Sequence, residues 1–203
     1  PLAASALSRR SPPPRSRSPG SRRDRPTSSS RAMSRRTSGP TGPPKAVQLT
    51  HAGVMFMARG YASALPVIVG GRGISYLPLA HVGDRAMGYY AGSMCFGTTV
   101  TSIPDPRQIG AALVSVRPTA FGGVPRVWEK IRSALVAAGL SDPAGLPDAA
   151  RAAVKARIGL DQAHWCISGA APASPEVLQY FADLGMPVNE AWGSSRETLH
   201  LTS

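Results

Sequence analysis

Residues 164–195 read HWCISGAAPASPEVLQYFADLGMPVNEAWGSS, and this stretch decides the fold class. His164 to Ser168 is a short apolar run closed by Gly169, the pattern of a buried strand. Ser174-Pro175-Glu176 then opens a helix, with a hydroxyl residue to cap it, a proline in the first turn and an acid against the positive end of the helix dipole. Val177, Leu178, Tyr180, Phe181 and Leu184 form its apolar face, and Gly185 ends it. Met186 to Ala191 is a second strand. Strands alternating with helices in this way build a parallel sheet covered by helices, and such sheets bind ligands at the carboxyl ends of their strands. The segments Ser168–Pro172 and Ala191–Ser195 both follow strands, so both are placed at that edge.

The alternation continues upstream. Residues 51 to 65 carry His51, Val54, Met55, Ala58, Tyr61, Ala62 and Leu65 at helical spacing before Pro66. A strand is expected at 74–79, then a Gly-rich amphipathic helix through Arg85, Met87, Tyr89, Tyr90 and Met94. Thr98 to Ile103 is β-branched and reads as a strand, stopped by Pro104 and Pro106. Further helices are expected at 107–116, Arg126–Ala138 and Asp148–Arg157, with a strand at Thr119–Gly122. The class is α/β.

Residues 37–45, Thr-Ser-Gly-Pro-Thr-Gly-Pro-Pro-Lys, suggest what the fold holds. Gly39 and Gly42 let backbone N–H groups converge on an anion, Thr37, Ser38 and Thr41 supply hydroxyls, and Lys45 supplies charge. The spacing is not that of the common P-loop, which needs Gly-Lys-Ser/Thr opening a helix. The same composition also makes an ordinary surface turn.

This loop resembles the signature loop of the adenylate-forming, AMP-binding enzymes, Thr-Ser-Gly-Thr-Thr-Gly-x-Pro-Lys-Gly. Two departures stand in it, Pro40 for a hydroxyl residue and Ala46 for a glycine. Ser168-Gly169-Ala170-Ala171-Pro172 resembles the same superfamily's adenine-contacting segment, and Asn189 to Ser195 its aromatic-Gly-x-Thr/Ser-Glu motif. Ser75 to Val82, with Leu-Pro-Leu-Ala-His at its centre, and Gly123 to Ile131 resemble the long-chain fatty-acid CoA ligase branch. The resemblance covers residues 37–195 and implies part of the large N-terminal domain of such an enzyme.

That resemblance implies ATP-dependent activation of a fatty acid to acyl-adenylate and then acyl-CoA, with coenzyme A as co-substrate and Mg2+ beside the triphosphate. It assigns Thr37, Ser38, Gly39, Thr41, Gly42 and Lys45 to the β- and γ-phosphates. Gly169, Ala170, Ala171, Pro172, Glu190, Ala191, Trp192 and Gly193 would border the nucleotide, with Trp192 offering the adenine a flat face. Ser195 would contact phosphate. Arg196 stands where the family has its magnesium-holding acid, and Glu197, one residue later, is the acid at hand. His81 would lie at the acyl carboxylate; read alone, it is equally a helix-start histidine bonded to backbone. Family members are several times longer, so this chain is expected to be an incomplete fragment that does not finish the reaction.

Residues 1–36 contain ten Arg, ten Ser and six Pro with one acid, Asp24, and carry +9 of the formal net charge of +12. Such a tract lacks the apolar surface to offset chain entropy and is expected to be a disordered leader. Where the resembling family has an apolar strand before its phosphate loop, this chain has Arg31 to Arg36, as a reading-frame change would produce; residues 196–203 read as a divergent tail. No specific nucleic-acid partner is expected, although salt-dependent RNA binding through the leader is an alternative reading, and a catalytically dead binding remnant is another. No run of about twenty apolar residues offers a membrane span, and no apolar stretch follows the basic start as in a secretory signal. Cytoplasmic residence with peripheral membrane association is the expectation. Cys95 and Cys166 read as buried free thiols, no metal-ligand spacing supports zinc, and no Gly-x-Ser-x-Gly elbow supports a serine hydrolase.

Overall fold

The computed structural model describes residues 31–37, 45–79, 81–193 and 200–202. Two parallel sheets lie edge to edge. In the first, β3 (Arg72–Ser75) pairs with β4 (Thr99–Ser102); in the second, β5 (Ala120–Gly123), β6 (Trp165–Gly169) and β7 (Val188–Trp192) run parallel, with β8 (His200–Thr202) antiparallel at the edge. The sheets are joined through Thr119, whose N–H donates to the Arg72 carbonyl at 2.9 Å while its Oγ1 accepts the Arg72 N–H at 3.1 Å. The expected α/β architecture is therefore present, with parallel strands and intervening helices.

Most elements fall where periodicity places them. Helix α1 is His51–Ala64, capped by the Thr50 hydroxyl, which accepts the Gly53 N–H at 3.1 Å. Helices α2 (Ile109–Val116), α3 (Pro125–Ala137), α4 (Asp148–Arg157) and α5 (Pro175–Asp183) follow. Ser174 occupies the N-cap position of α5 by its torsions but its side chain makes no capping bond; its carbonyl takes the Val177 and Leu178 N–H groups instead.

Four expectations need correction. Arg31–Arg36, assigned to a disordered leader, form strand β1 with Thr37 (Arg31–Thr37), which pairs antiparallel with β2 (Lys45–Thr50), Thr37 opposite Lys45. A polar strand is stable here because β2 completes its backbone hydrogen bonds, a demand that composition does not reveal. The strand expected at 74–79 sits at 72–75, since Pro78 has no N–H to give a ladder. The Gly-rich helix is a π-helix, Asp84–Cys95, in which an added Cβ on Gly92 would lie 2.7 Å from the Met87 carbonyl oxygen. Cys95 is exposed, whereas Cys166 is buried and burial pushes its thiol up to about 12. Among the described residues no helix is long and apolar enough to cross a membrane.

The main core lies between the second sheet and helices α2, α3 and α5, around Phe121, Trp128, Leu113, Phe181 and Leu184. Where α4 ends, Gly159 takes φ +75°, and a Cβ there would sit 2.1 Å from the backbone oxygen of Leu113. Gly159→Ala is expected to cost about 1–2 kcal/mol for the left-handed torsion and about 1–3 kcal/mol for the overpacking. A fall in the urea midpoint at unchanged slope checks it.

Candidate functional site

Alternation along the strands sorts side chains to two faces. On β6, Cys166 points into the core with Trp128 and Phe181, while Trp165, Ile167 and Gly169 line a cavity on the other face. On β7 and its exit, Ala191 and Gly193 line the same cavity, and on β5 Ala120 and Gly122 do so. The volume is about 390 Å³. Its far walls come from α1, from β3 and β4, and from the π-helix, including Leu65, Ile74, Met87, Phe96 and Val100. The space is thus largely apolar; His81 lies toward the carboxyl ends of the strands, where the α/β rule places a ligand, while Arg72, Thr98 and Thr119 line it at their amino ends.

At that end the loop after β6 carries a non-glycine residue in the left-handed region, Ala170 at φ 72°. Such strain persists only where surroundings enforce it, and here the next strand does. Gly169 is paired with Ala191, and the Glu190 carboxylate accepts the Ala173 N–H at 3.0 Å, holding the β6 loop against β7. Gly169, Ala170, Ala191 and Gly193 present nothing larger than a methyl group to the cavity, so a flat ring can lie against backbone.

His81 lines the same cavity. Its Nδ1 accepts the Gly83 N–H at 3.2 Å and its carbonyl accepts the Arg85 N–H at 3.2 Å, so residues 81–85 form a helical turn. A neutral ring so bonded carries its proton on Nε2. His81 thus starts a helical turn on backbone bonds and also lines the cavity. One turn on, Asp84 also lines the cavity and takes a 2.6 Å bond from the Ser75 hydroxyl at Oδ2. Burial holds this carboxyl above the ordinary range, against the lowering effect of the hydrogen bond from Ser75.

The structure thus brings together His81, Gly169, Ala170, Ala191 and Gly193, with Glu190 as a brace. It does not bring Trp192, Ala171 or Pro172 to the cavity wall. All three are exposed, Trp192 at 59%, because Trp192 alternates with Ala191 and Gly193 and the loop turns outward after Ala170. Thr37 and Lys45 are the facing ends of β1 and β2. Ser38, Gly39, Thr41, Gly42, Ser195 and Glu197 lie outside the described residues. Among the described residues no cluster of three or more His, Cys, Asp or Glu could hold a metal ion. Tyr61, read from the sequence only as part of a helix's apolar face, and Asp84 and Gly88, not singled out there, also line the cavity; the Gly-rich run 83–97 was the available signal for the last two.

A family model described as AMP-binding enzyme matches residues 5–203. The chain belongs to the AMP-binding enzyme family. The match begins inside the basic segment and runs through the final eight residues, wider than the span 37–195 that the motifs cover. Relatives of this AMP-binding chain are fatty-acid–CoA ligases. A putative fatty-acid–CoA ligase of Mycobacterium tuberculosis is 37% identical over 195 residues, covering 78% of this chain and 34% of its own length. A long-chain-fatty-acid–CoA ligase of Xenopus laevis is 30% identical over 204 residues, covering 80% of this chain and 27% of its own. Among solved structures, the didomain of a carboxylic acid reductase from Segniliparus rugosus in complex with AMP superposes with a TM-score of 0.64 at 25% identity, over 82% of this chain and 24% of that one. The chain spans about a third of the length of the first of these relatives.

Proposed function

We propose that this chain holds a long-chain fatty acid and its acyl-adenylate, as part of an ATP-dependent fatty-acid–CoA ligase. The observation that carries the reading is one cavity whose walls are apolar along α1 and the π-helix and whose strand ends present His81 and the small residues of the β6 and β7 loops. An acyl tail and a nucleotide are the two halves of an acyl-adenylate, and the cavity offers each a matching surface.

In this reading the acid's carboxylate oxygen attacks the α-phosphorus of ATP, the bond to the β-phosphate breaks and pyrophosphate leaves. The thiol of coenzyme A then attacks the acyl carbonyl and AMP leaves. Little covalent chemistry falls to the protein, whose work is positioning and charge neutralisation. Thr37, Ser38, Gly39, Thr41, Gly42 and Lys45 would cradle the β- and γ-phosphates, with Ser195 contacting phosphate and Glu197 beside magnesium. Gly169 and Ala170, with Ala191 and Gly193, would border the adenosine, and His81, through Nε2–H, would donate to the acyl carboxyl. Because the chain spans about a third of the first relative's length, the complete reaction is proposed on the strength of the relatives. A chain that keeps only the binding half would hold acyl-adenylate without turnover. Cytoplasmic residence with peripheral membrane association suits a lipid-soluble substrate and belongs to the same proposal.

Gly88 offers the test of the acyl half. It lines the cavity, and an added Cβ there meets no side chain closer than Asp84 Oδ1 at 3.9 Å, so the position has room for a substituent. Gly88→Leu is expected to shift the preferred acyl chain to shorter lengths, with longer chains losing about 0.8 kcal/mol per methylene kept out of the cavity. A chain-length series of acyl-adenylate mimics, titrated against both forms, reads the shift. An unchanged profile would place the acyl chain elsewhere.

A further inference from the structure

The connection between β6 and α5 is held at both ends by adjacent residues of β7. Gly169 pairs with Ala191, and the Glu190 carboxylate accepts the Ala173 N–H at 3.0 Å. Between those two anchors Ala170 stands at φ 72°, in the left-handed region. A non-glycine residue is disfavoured there by a population ratio of about ten. Asn and Asp visit the region more easily through local hydrogen bonds, which a methyl group cannot make. The torsion is therefore imposed on Ala170 from outside. A carboxylate taking a backbone N–H is among the stronger restraints a folded chain has, and the Ser174 side chain, which makes no capping bond, does not share the task. Ala170 lines the cavity whereas Glu190 does not, so the acid bears on that wall through the loop it holds.

We propose that Glu190 is a positioning residue for the nucleotide half of the ligand: through Ala173 it holds Ala170 in the left-handed region, and so sets the affinity for the adenosine monophosphate moiety without touching it. This rests on the reading that the β6 and β7 loops border the adenosine, and it moves Glu190 from the ligand's border, where its motif puts it, to the support behind. Where a binding wall is competent in only a fraction of the molecules, apparent affinity falls by that fraction. Loss of the Glu190 bond lets Ala170 leave the torsion it disfavours, while the apolar walls on α1, β4 and the π-helix belong to other parts of the chain and keep their shape.

The test uses the full chain, titrated calorimetrically with AMP, with hexadecanoate and with hexadecanoyl-sulfamoyl-adenosine. Glu190→Met keeps the length of the side chain and removes its acceptor oxygens; it is expected to bind AMP about tenfold more weakly. Hexadecanoate should bind it as it binds the native chain, which also reports that the variant is folded. Glu190→Gln restores an oxygen at the same reach without the charge, and is expected to recover all but about threefold of the AMP affinity. Glycine holds a positive φ without help, so in the Ala170→Gly background the further loss caused by Glu190→Met is expected to shrink to about threefold or less. That double variant, set against Ala170→Gly alone, carries the test where Glu190→Met by itself does not fold. Unchanged AMP affinity in folded Glu190→Met, an equal loss of hexadecanoate, or a loss of AMP undiminished by Ala170→Gly overturns the proposal. If the native chain binds neither AMP nor the adenylate mimic, the acyl-adenylate reading itself fails and this inference falls with it.

Discussion

Trp128→Ala is expected to destabilise the fold by about 3–5 kcal/mol. Trp128 is fully buried, with edge-on contacts to Phe121 at 5.4 Å and Phe181 at 5.1 Å, and its Nε1–H donates to the Ile167 carbonyl at 3.1 Å. The indole also fills the space left by Gly123, where a Cβ would lie 2.8 Å from Nε1. Removing it leaves a cavity bounded by β5, β6 and α5 and a buried carbonyl without its donor. Substitutions of this kind cost about 3–5 kcal/mol, against a total of about 5–15 kcal/mol for a native domain. Urea unfolding followed by far-UV circular dichroism is expected to show the transition displaced by that amount or absent. A loss under about 1 kcal/mol would mean that the core does not close around this ring. The effect reaches the site, since Ile167 holds the Trp128 ring through its carbonyl and lines the cavity with its side chain.

Gly169→Val is expected to separate binding from folding. An added Cβ would stand 3.1 Å from the Ala191 carbonyl oxygen, and the branched side chain must push the ends of β6 and β7 apart. Both loops that border the cavity hang from those ends, and Ala170, already at φ 72°, has no slack to absorb the shift. We expect at least a tenfold loss of acyl-adenylate mimic binding at an overpacking cost of about 1–3 kcal/mol, small enough to leave the chain folded. Gly169→Ala should fall between the two. Native-like mimic affinity in folded Gly169→Val would remove the β6 loop from the site.

The β6–α5–β7 unit was legible because each of its signals is local: apolar runs, a Pro-initiated helix, a glycine stop. The same holds for α1, α3 and α4. The β1–β2 pair was not legible, since nothing in Arg31 to Arg36 records that a partner strand will satisfy its backbone. The π-helix was read as a helix but not as its kind, because glycines at 88, 92 and 97 do not show where the hydrogen-bond phase slips. Around the cavity, the strand-end rule leads to the lining residues after β6 and β7, whereas the motif alone does not show the two-residue alternation that turns Trp192 outward. Tyr61 and Gly88 lie on elements far from those motifs in sequence, and only the closing of two sheets against α1 and the π-helix brings them to one cavity.

The central claim is that a single cavity holds both halves of an acyl-adenylate. Calorimetric titration of the folded chain with hexadecanoyl-sulfamoyl-adenosine, beside AMP alone and hexadecanoate alone, tests it most directly. The account predicts one site per chain, with the joined molecule bound at least a hundredfold more tightly than either half, as linking two engaged groups requires. Equal affinity for the mimic and for one of its halves, or no binding at all, would contradict it.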